Sequence, residues 1–402
     1  MNKLKQLKFK IDKKIIYYLT YLISHLPKKK IIYFESFHGK SFNDNPRAIY
    51  EQFANYKDGY QLIWGVKKGY ESIFSDYPEV NYVPRFSWKW FWVIGRARVW
   101  VTNTRTPAHF FKGKNTTYLE TWHGTPLKKL GLDIKEVTMP GTDTETYMRN
   151  FVRESTRWDF LIAPNHYSSK IFRQAFGFEG EILETGYPRN DVLVTQRHNL
   201  EYMAEIKRKL GIASADKVIL YAPTWRDNEF YSKGNYKFTF PFNLEKALNQ
   251  LGENVVILVR MHYLVSDRFD FSEYHNRVID ASNYDEMSHL LLISDALITD
   301  YSSSFFDYAI LKRPMIFYMY DLEEYEQDIR GMYLNIYKEL PGPIVETEED
   351  LMGALKDVVS SDFNVQSRDK ETYQCFNQKY TSLETGNASQ KVIERLTLEE
   401  RI

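Results

Sequence analysis

Apolar positions change their spacing along this chain of 402 residues. Near the N-terminus they recur every three or four residues: Leu4, Leu7, Ile11, Ile15, Tyr18, Leu22 and Leu26. That period lines them up on one stripe of an α-helix. Pro27 stops the helix, and Lys28, Lys29 and Lys30 follow it. From residue 31 the pattern becomes short β-rich runs at 31–36, 62–66, 99–104, 116–121 and 160–164, with helical stretches between them. Strands that alternate with helices predict an α/β chain built on a parallel, doubly wound sheet. After a polar helical stretch at 200–210 the series restarts, with runs at 218–223, 255–261, 278–281, 296–299 and 315–318. The predicted layout is a basic amphipathic helix at 1–30, one sheet domain at 31–195, a second at 196–365, and a helical segment at 366–402. Two such domains facing one another make a central cleft, and ligands bind beyond the carboxyl ends of the strands.

Charge refines this picture. The chain carries 53 basic and 53 acidic residues. That balance argues against a nucleic-acid partner, which asks for a basic excess. Locally the balance breaks, because residues 1–30 hold nine lysines and one acid, Asp12. Such a helix suits the cytoplasmic face of a membrane, with its apolar stripe in the acyl boundary and its lysines on anionic headgroups. The alternative is a helix packed on the protein's own core. Trp88, Trp90, Phe91, Trp92 and Trp100, interleaved with Lys89, Arg96 and Arg98, pose the same choice, and here a core helix is favoured. No run reaches the ~20 apolar residues needed to span a bilayer. One cysteine, Cys375, excludes an internal disulfide and fits a reducing cytoplasm; it reads as a packed residue.

The candidate chemistry lies where strands end. Thr121-Trp122-His123-Gly124-Thr125-Pro126-Leu127-Lys128-Lys129 follows the run at 116–121. His123 falls on a turn that Gly124 permits, with Pro126 suited to the first turn of a following helix. There His123 is either a general base or a structural histidine, and Gly124, Thr125 and Lys128 at a helix start offer a phosphate site. Gly186-Tyr187-Pro188-Arg189-Asn190-Asp191 lies at the domain junction, where Arg189 contacts a phosphate or pairs within a hinge. Thr224 and Arg226, in Tyr221-Ala222-Pro223-Thr224-Trp225-Arg226-Asp227, suit a diphosphate. Arg260-Met261-His262 ends another strand. Thr299-Asp300-Tyr301-Ser302-Ser303-Ser304 opens a helix with hydroxyls that either cap it or hold phosphate. His38, His109, His166, His198, His275 and His289 lack metal-ligand spacing. The acidic run 321–326 reads as a solvated helix face. No Walker loop, GxSxG elbow or glycine-rich dinucleotide fingerprint is present.

Taken in order, these five motifs resemble the CDP-glycerol glycerophosphotransferases, the teichoic acid primases and polymerases of Gram-positive bacteria. Phe305-Phe306-Asp307-Tyr308 and Pro341-Gly342-Pro343 extend the resemblance, which covers roughly residues 30–360. It implies a GT-B-like fold of two Rossmann-like domains, an acceptor domain at 31–195 and a donor domain at 196–365. It implies CDP-glycerol as donor, no tightly bound cofactor, and a polyprenyl-linked saccharide or growing polymer as acceptor. The family's two catalytic histidines match His123 and His262. Its donor ligands are similar to Arg189, Thr224, Arg226, Arg260, Asp300, Ser302 and Ser303. CDP-ribitol transfer and nucleotide-sugar transfer are the alternatives. No carboxylate cage for magnesium stands out. Long polymerases of the family carry a further N-terminal domain, so this length favours primase-like or single-unit transfer.

Overall fold

A computed structural model describes residues 3–55, 59–137, 143–224, 230–232, 235–236, 240–261, 270–323 and 331–398. The chain forms two compact units. The first comprises Met1–His123, Leu130–Asp191 and Leu383–Ile402; the second comprises Gly124–Lys129 and Val192–Ser382.

The first unit is built on seven parallel strands: β1 (Lys29–Glu35), β2 (Gln61–Val66), β3 (Tyr82–Pro84), β4 (Ala97–Thr102), β5 (Thr117–Glu120), β6 (Phe160–Ala163) and β7 (Glu181–Glu184). Their order in the sheet is β3-β2-β1-β4-β5-β6-β7. The order reverses between β1 and β4, the place where open α/β sheets bind ligands. Alternation explains why the strands sit buried on both faces. Ile31 and Tyr33 join Trp90, Trp100 and Tyr118 in one core, while Ile32 and Phe34 join Trp64, Val99 and Val101 in another. Phe34 pairs with Trp64 on one side and Val101 on the other, and stacks on the Trp64 ring. Burying each side chain of this size contributes about 1.5–3 kcal/mol.

The N-terminal helix α1 (Lys3–Ser24) uses two faces. Ile16, Leu19 and Ile23 pack on the first core, and Thr20 and Ser24 are buried beside them. Where α1 meets α2 (Trp88–Arg96), Gly95 makes room, since a Cβ there would lie 2.6 Å from Ile23 Cγ2. The stripe read from the sequence is the other face: Ile11, Ile15, Tyr18, Leu22 and Leu26 are exposed. The side chains of Leu4 and Leu7 lie outside the described residues. Helix α2 divides likewise, with Trp90 and Phe91 buried and Trp88 and Trp92 exposed.

The second unit holds six parallel strands: β8 (Lys217–Ala222), β11 (Val255–Val259), β12 (Val278–Asp280), β13 (Ala296–Thr299), β14 (Met315–Tyr318) and β15 (Ile344–Val345). A short antiparallel ribbon, β9 (Phe230–Ser232) and β10 (Asn235–Tyr236), stands apart from them. The six-strand order is β12-β11-β8-β13-β14-β15, so the reversal falls between β8 and β13. The segment 366–402, expected as one helical piece, is divided between the units. Helix Lys370–Tyr380 packs on the second, and helix Ala388–Leu398 places Val392, Ile393 and Leu396 in the core of the first. Cys375, expected to be packed, is exposed on the first of these helices. Among the described residues no helix is long and apolar enough to cross a membrane.

Candidate active site

His123 stands two residues beyond Thr121, past the end of β5. The turn that presents it is not the one expected from Gly124. Trp122 takes the left-handed conformation (φ 53), which costs any residue with a Cβ. Three contacts hold it there. Its N–H donates to Glu120 Oε1 (3.3 Å), its carbonyl accepts from Asn45 Nδ2 (3.1 Å), and its ring packs against Phe176 while stacking on the His123 imidazole, 4.5 Å between centroids.

The imidazole has a defined polarity. Nδ1 lies 2.6 Å from the carbonyl oxygen of Asn103, at the end of β4. A carbonyl only accepts, so Nδ1 carries the proton and Nε2 keeps its lone pair. Burial pushes the His123 pKa below its ordinary value; the Asn103 carbonyl and Asp44 oppose this, and Arg189 and Arg105 add to it. The ring is therefore a neutral base at pH 7. Next to it the carboxyl of Glu120 is wholly buried and pushed up to about 8 by that burial, although Thr102, Tyr118 and the Trp122 N–H all bond to it.

Arg189, expected on a phosphate or in an ion pair at a hinge, braces this turn. Its Nη1 donates to the His123 carbonyl (2.8 Å) and to Asp44 Oδ2 (3.1 Å), and its backbone N–H donates to Asn45 Oδ1 (3.1 Å). The rest of its motif fastens the C-terminal segment. Asn190 Nδ2 and the Tyr187 N–H donate to Glu384, and Asp191 accepts from the N–H groups of Ala388 and Ser389 at a helix start.

No helix follows His123, contrary to the sequence expectation. Residues 124–129 run with the second unit, where Lys129 N–H donates to the Gly331 carbonyl and Tyr333 N–H to the Leu127 carbonyl. That pairing holds the segment extended, so its N–H groups do not converge as those of a helix start would. Thr125 is buried, and Lys128 bridges to Met332. Gly124 acts by its size: a Cβ there would lie 2.8 Å from Ser303 Oγ. Gly124→Ala should therefore displace Ser303 and raise the donor KM several-fold in steady-state assays, with the melting temperature little changed.

In the second unit the loops after β8 and β13 meet at the strand-order reversal. Asp300 is buried, and its Oδ1 accepts from the N–H groups of Thr224 (2.8 Å) and Tyr301 (2.6 Å). Thr299 Oγ1 also donates to the Ala222 carbonyl, so Thr224 is fixed beside the serine turn. There Ser302 and Ser303 are half-buried, and Ser302 Oγ lies 3.0 Å from Ser304 Oγ. Asp300 thus orders the loop that carries the serines. Arg260 does similar work. Its Nη1 donates to the carbonyls of Ala281 (2.7 Å) and Ser282, tying β11 to the loop after β12. Arg226 and His262, and part of the acidic run 321–326, lie outside the described residues.

Sequence reasoning missed Asn45, Asn103 and Glu120. Asn103 had a usable signal, since Thr102-Asn103-Thr104-Arg105-Thr106 is polar and ends a strand.

Two parallel, doubly wound units with polar residues at both strand-order reversals define a GT-B-like transferase. The chain belongs to the CDP-glycerol:poly(glycerophosphate) glycerophosphotransferase family, whose model matches residues 16–398. It is 51% identical over 382 residues to a teichoic acid glycerol-phosphate transferase of Staphylococcus aureus, covering 95% of this chain and 96% of that one. It is 48% identical over 378 residues to a teichoic acid poly(glycerol phosphate) polymerase of Bacillus spizizenii, covering 93% and 94%. A solved structure of the wall teichoic acid polymerase TagF, a histidine variant soaked with CDPG, superposes with a TM-score of 0.86 at 42% identity, covering 100% and 99%. The Bacillus spizizenii polymerase is matched over nearly its whole length, so this chain's length does not weigh against polymerisation.

Proposed function

We propose that this enzyme transfers glycerol phosphate from CDP-glycerol to a hydroxyl of a polyprenyl-linked acceptor or a growing teichoic-acid polymer, at the cytoplasmic face of the membrane. The acceptor oxygen bonds to the phosphorus that bears glycerol, the bond from that phosphorus to the bridging oxygen breaks, and CMP leaves with that oxygen. His123 Nε2 takes the acceptor proton. The single observation that carries this role is the Nδ1 bond to the Asn103 carbonyl, which fixes the tautomer. Thr224, Ser302 and Ser303 hold the diphosphate, and His262 and Arg226 neutralise the leaving group. Phosphoryl transfer depends mainly on such positioning and charge stabilisation. CMP release measured with CDP-glycerol and with CDP-ribitol, each with and without a lipid-linked acceptor, tests the reading. Acceptor-dependent CMP from CDP-glycerol supports it, and product length separates one unit from many. Release of CMP from CDP-ribitol alone would overturn it.

The membrane reading rests on the exposed stripe Ile11, Ile15, Tyr18, Leu22 and Leu26 together with exposed Trp88 and Trp92 on the neighbouring helix. Lys10, Lys14, Lys29 and Lys30 are exposed around them. Flotation with vesicles containing anionic lipid should recover the protein. The double variant Ile15→Glu, Leu22→Glu should float at least about tenfold less, since each loses roughly 1.5–3 kcal/mol of apolar burial. Equal flotation would remove this face from the membrane.

A further inference from the structure

The loops that leave β1 and β4 carry features that the mechanism above does not use. Phe37, His38 and Gly39 are consecutive left-handed residues (φ 45, 59 and 77). For Phe37 and His38 that conformation is costly, and it persists only where the surroundings enforce it. Here they do. Phe37 N–H donates to Asn103 Oδ1 (2.9 Å), Lys67 N–H to the Gly39 carbonyl (2.7 Å), and Arg85 Nη1 to the His38 carbonyl (2.6 Å). A Cβ on Gly39 would lie 2.7 Å from the Lys67 nitrogen, so the loop is pressed against its neighbours. The loop also borders the base, because the Phe37 ring meets the His123 ring edge-on at 5.7 Å.

The chemistry of this corner is basic and rich in donors. His38 is solvent-accessible, yet surrounding protein and the charges of Arg85, Lys40 and Arg105, with His123, hold its pKa down to about 4. Arg85 pairs with buried Glu35 (3.2 Å) and Arg105 with Glu154 (2.8 Å). Beneath the same loops Asn103 Nδ2, Thr104 Oγ1 and Ser41 Oγ are buried and find no hydrogen-bond partner in the chain. Buried polar atoms are nearly always satisfied, so three orphans on two adjoining loops point to an outside ligand. The strand-order reversal between β1 and β4 is where such a ligand binds in this kind of sheet.

We propose that these loops form a subsite for a phosphodiester of the acceptor chain, one glycerol away from the hydroxyl that His123 deprotonates. Lys40 and Arg105 supply charge, and His38 supplies an N–H donor. A glycerol phosphate polymer offers such an anion beside its terminal glycerol. An acceptor that lacks the anion gains nothing from the cluster. The proposal rests on the reading of His123 as the acceptor's base.

The test uses the full chain and two soluble oligomers of glycerol phosphate. One is natural, and the other carries an uncharged methylphosphonate at the last linkage. Lys40→Gln removes charge without strain. His38→Asn removes the ring and keeps a residue tolerant of left-handed backbone. Each variant should raise the acceptor KM about tenfold for the natural oligomer, the worth of one charge-assisted bond, and leave the methylphosphonate KM and the donor KM unchanged. Calorimetric binding of the natural oligomer without donor should weaken in parallel. Equal effects on both oligomers, or a fall in kcat alone, would overturn the subsite. If the wild type binds the oligomer in this charge-dependent way and releases no CMP, the subsite stands and the catalytic reading fails.

Discussion

His123→Ala should lower CMP release from CDP-glycerol by roughly 10²–10⁴-fold, the range that a positioned general base contributes. Donor affinity, read by equilibrium binding, stays near that of the wild type, because the ligands assigned to the diphosphate belong to other loops. The pH profile gives a second check. A base works only when unprotonated. The folded pKa of His123 lies below its usual 6.5, so the protonated form gathers only below that pH. Wild-type kcat/KM should be level through pH 7 and fall only as pH drops through the lowered pKa. A limb centred above 6.5 would contradict the neutral imidazole that burial maintains.

Arg189→Ala is expected to cost about 3 kcal/mol of stability, since it removes the cation that Asp44 and the His123 carbonyl share. Both side chains of the ion pair are nearly buried, at 10% and 12% exposure, so solvent screens the loss little. A denaturant titration reads it. The same variant decides what the arginine does. As a brace for His123, its loss lowers kcat by about tenfold or more, because a small misplacement of the base is expensive, and leaves the donor KM alone. As a donor ligand, its loss would raise the donor KM first. Arg189→Lys should not rescue kcat, because an ammonium has neither the reach of Nη1 nor the planar face that packs over the Tyr187 ring.

The β-rich runs were legible because strands buried on both faces read as continuous apolar runs. The strands β3 and β15 were not, because three and two residues at a sheet edge show no period. The N-terminal helix was legible as a helix. Its inner face was overlooked because Ile16, Leu19 and Ile23 share the spacing of the outer stripe. The site divides in the same way. His123 and the serine turn announce themselves by following strands. Asn45 does not, because its bond to Trp122 joins residues 77 positions apart. The left-handed Trp122 carries no sequence signal, since contacts from three separate elements impose it. Arg189 was visible as a charged residue, and its partners Asp44 and the His123 carbonyl were not. The pattern of a chain reports which face is apolar and where a strand stops. It does not report which distant group a side chain reaches.

The return of residues 383–402 to the first unit bears on how the protein is made. Chains emerge from the ribosome N-terminus first, and domains usually fold in that order. Here the first unit lacks Val392, Ile393 and Leu396, all buried in its core, until well after the strands of the second unit have been synthesised. The second unit has every one of its strands before then. The unit whose strands are made first therefore completes its core only after those of the other, and a ribosome that stops short of residue 383 leaves it with an open hydrophobic face.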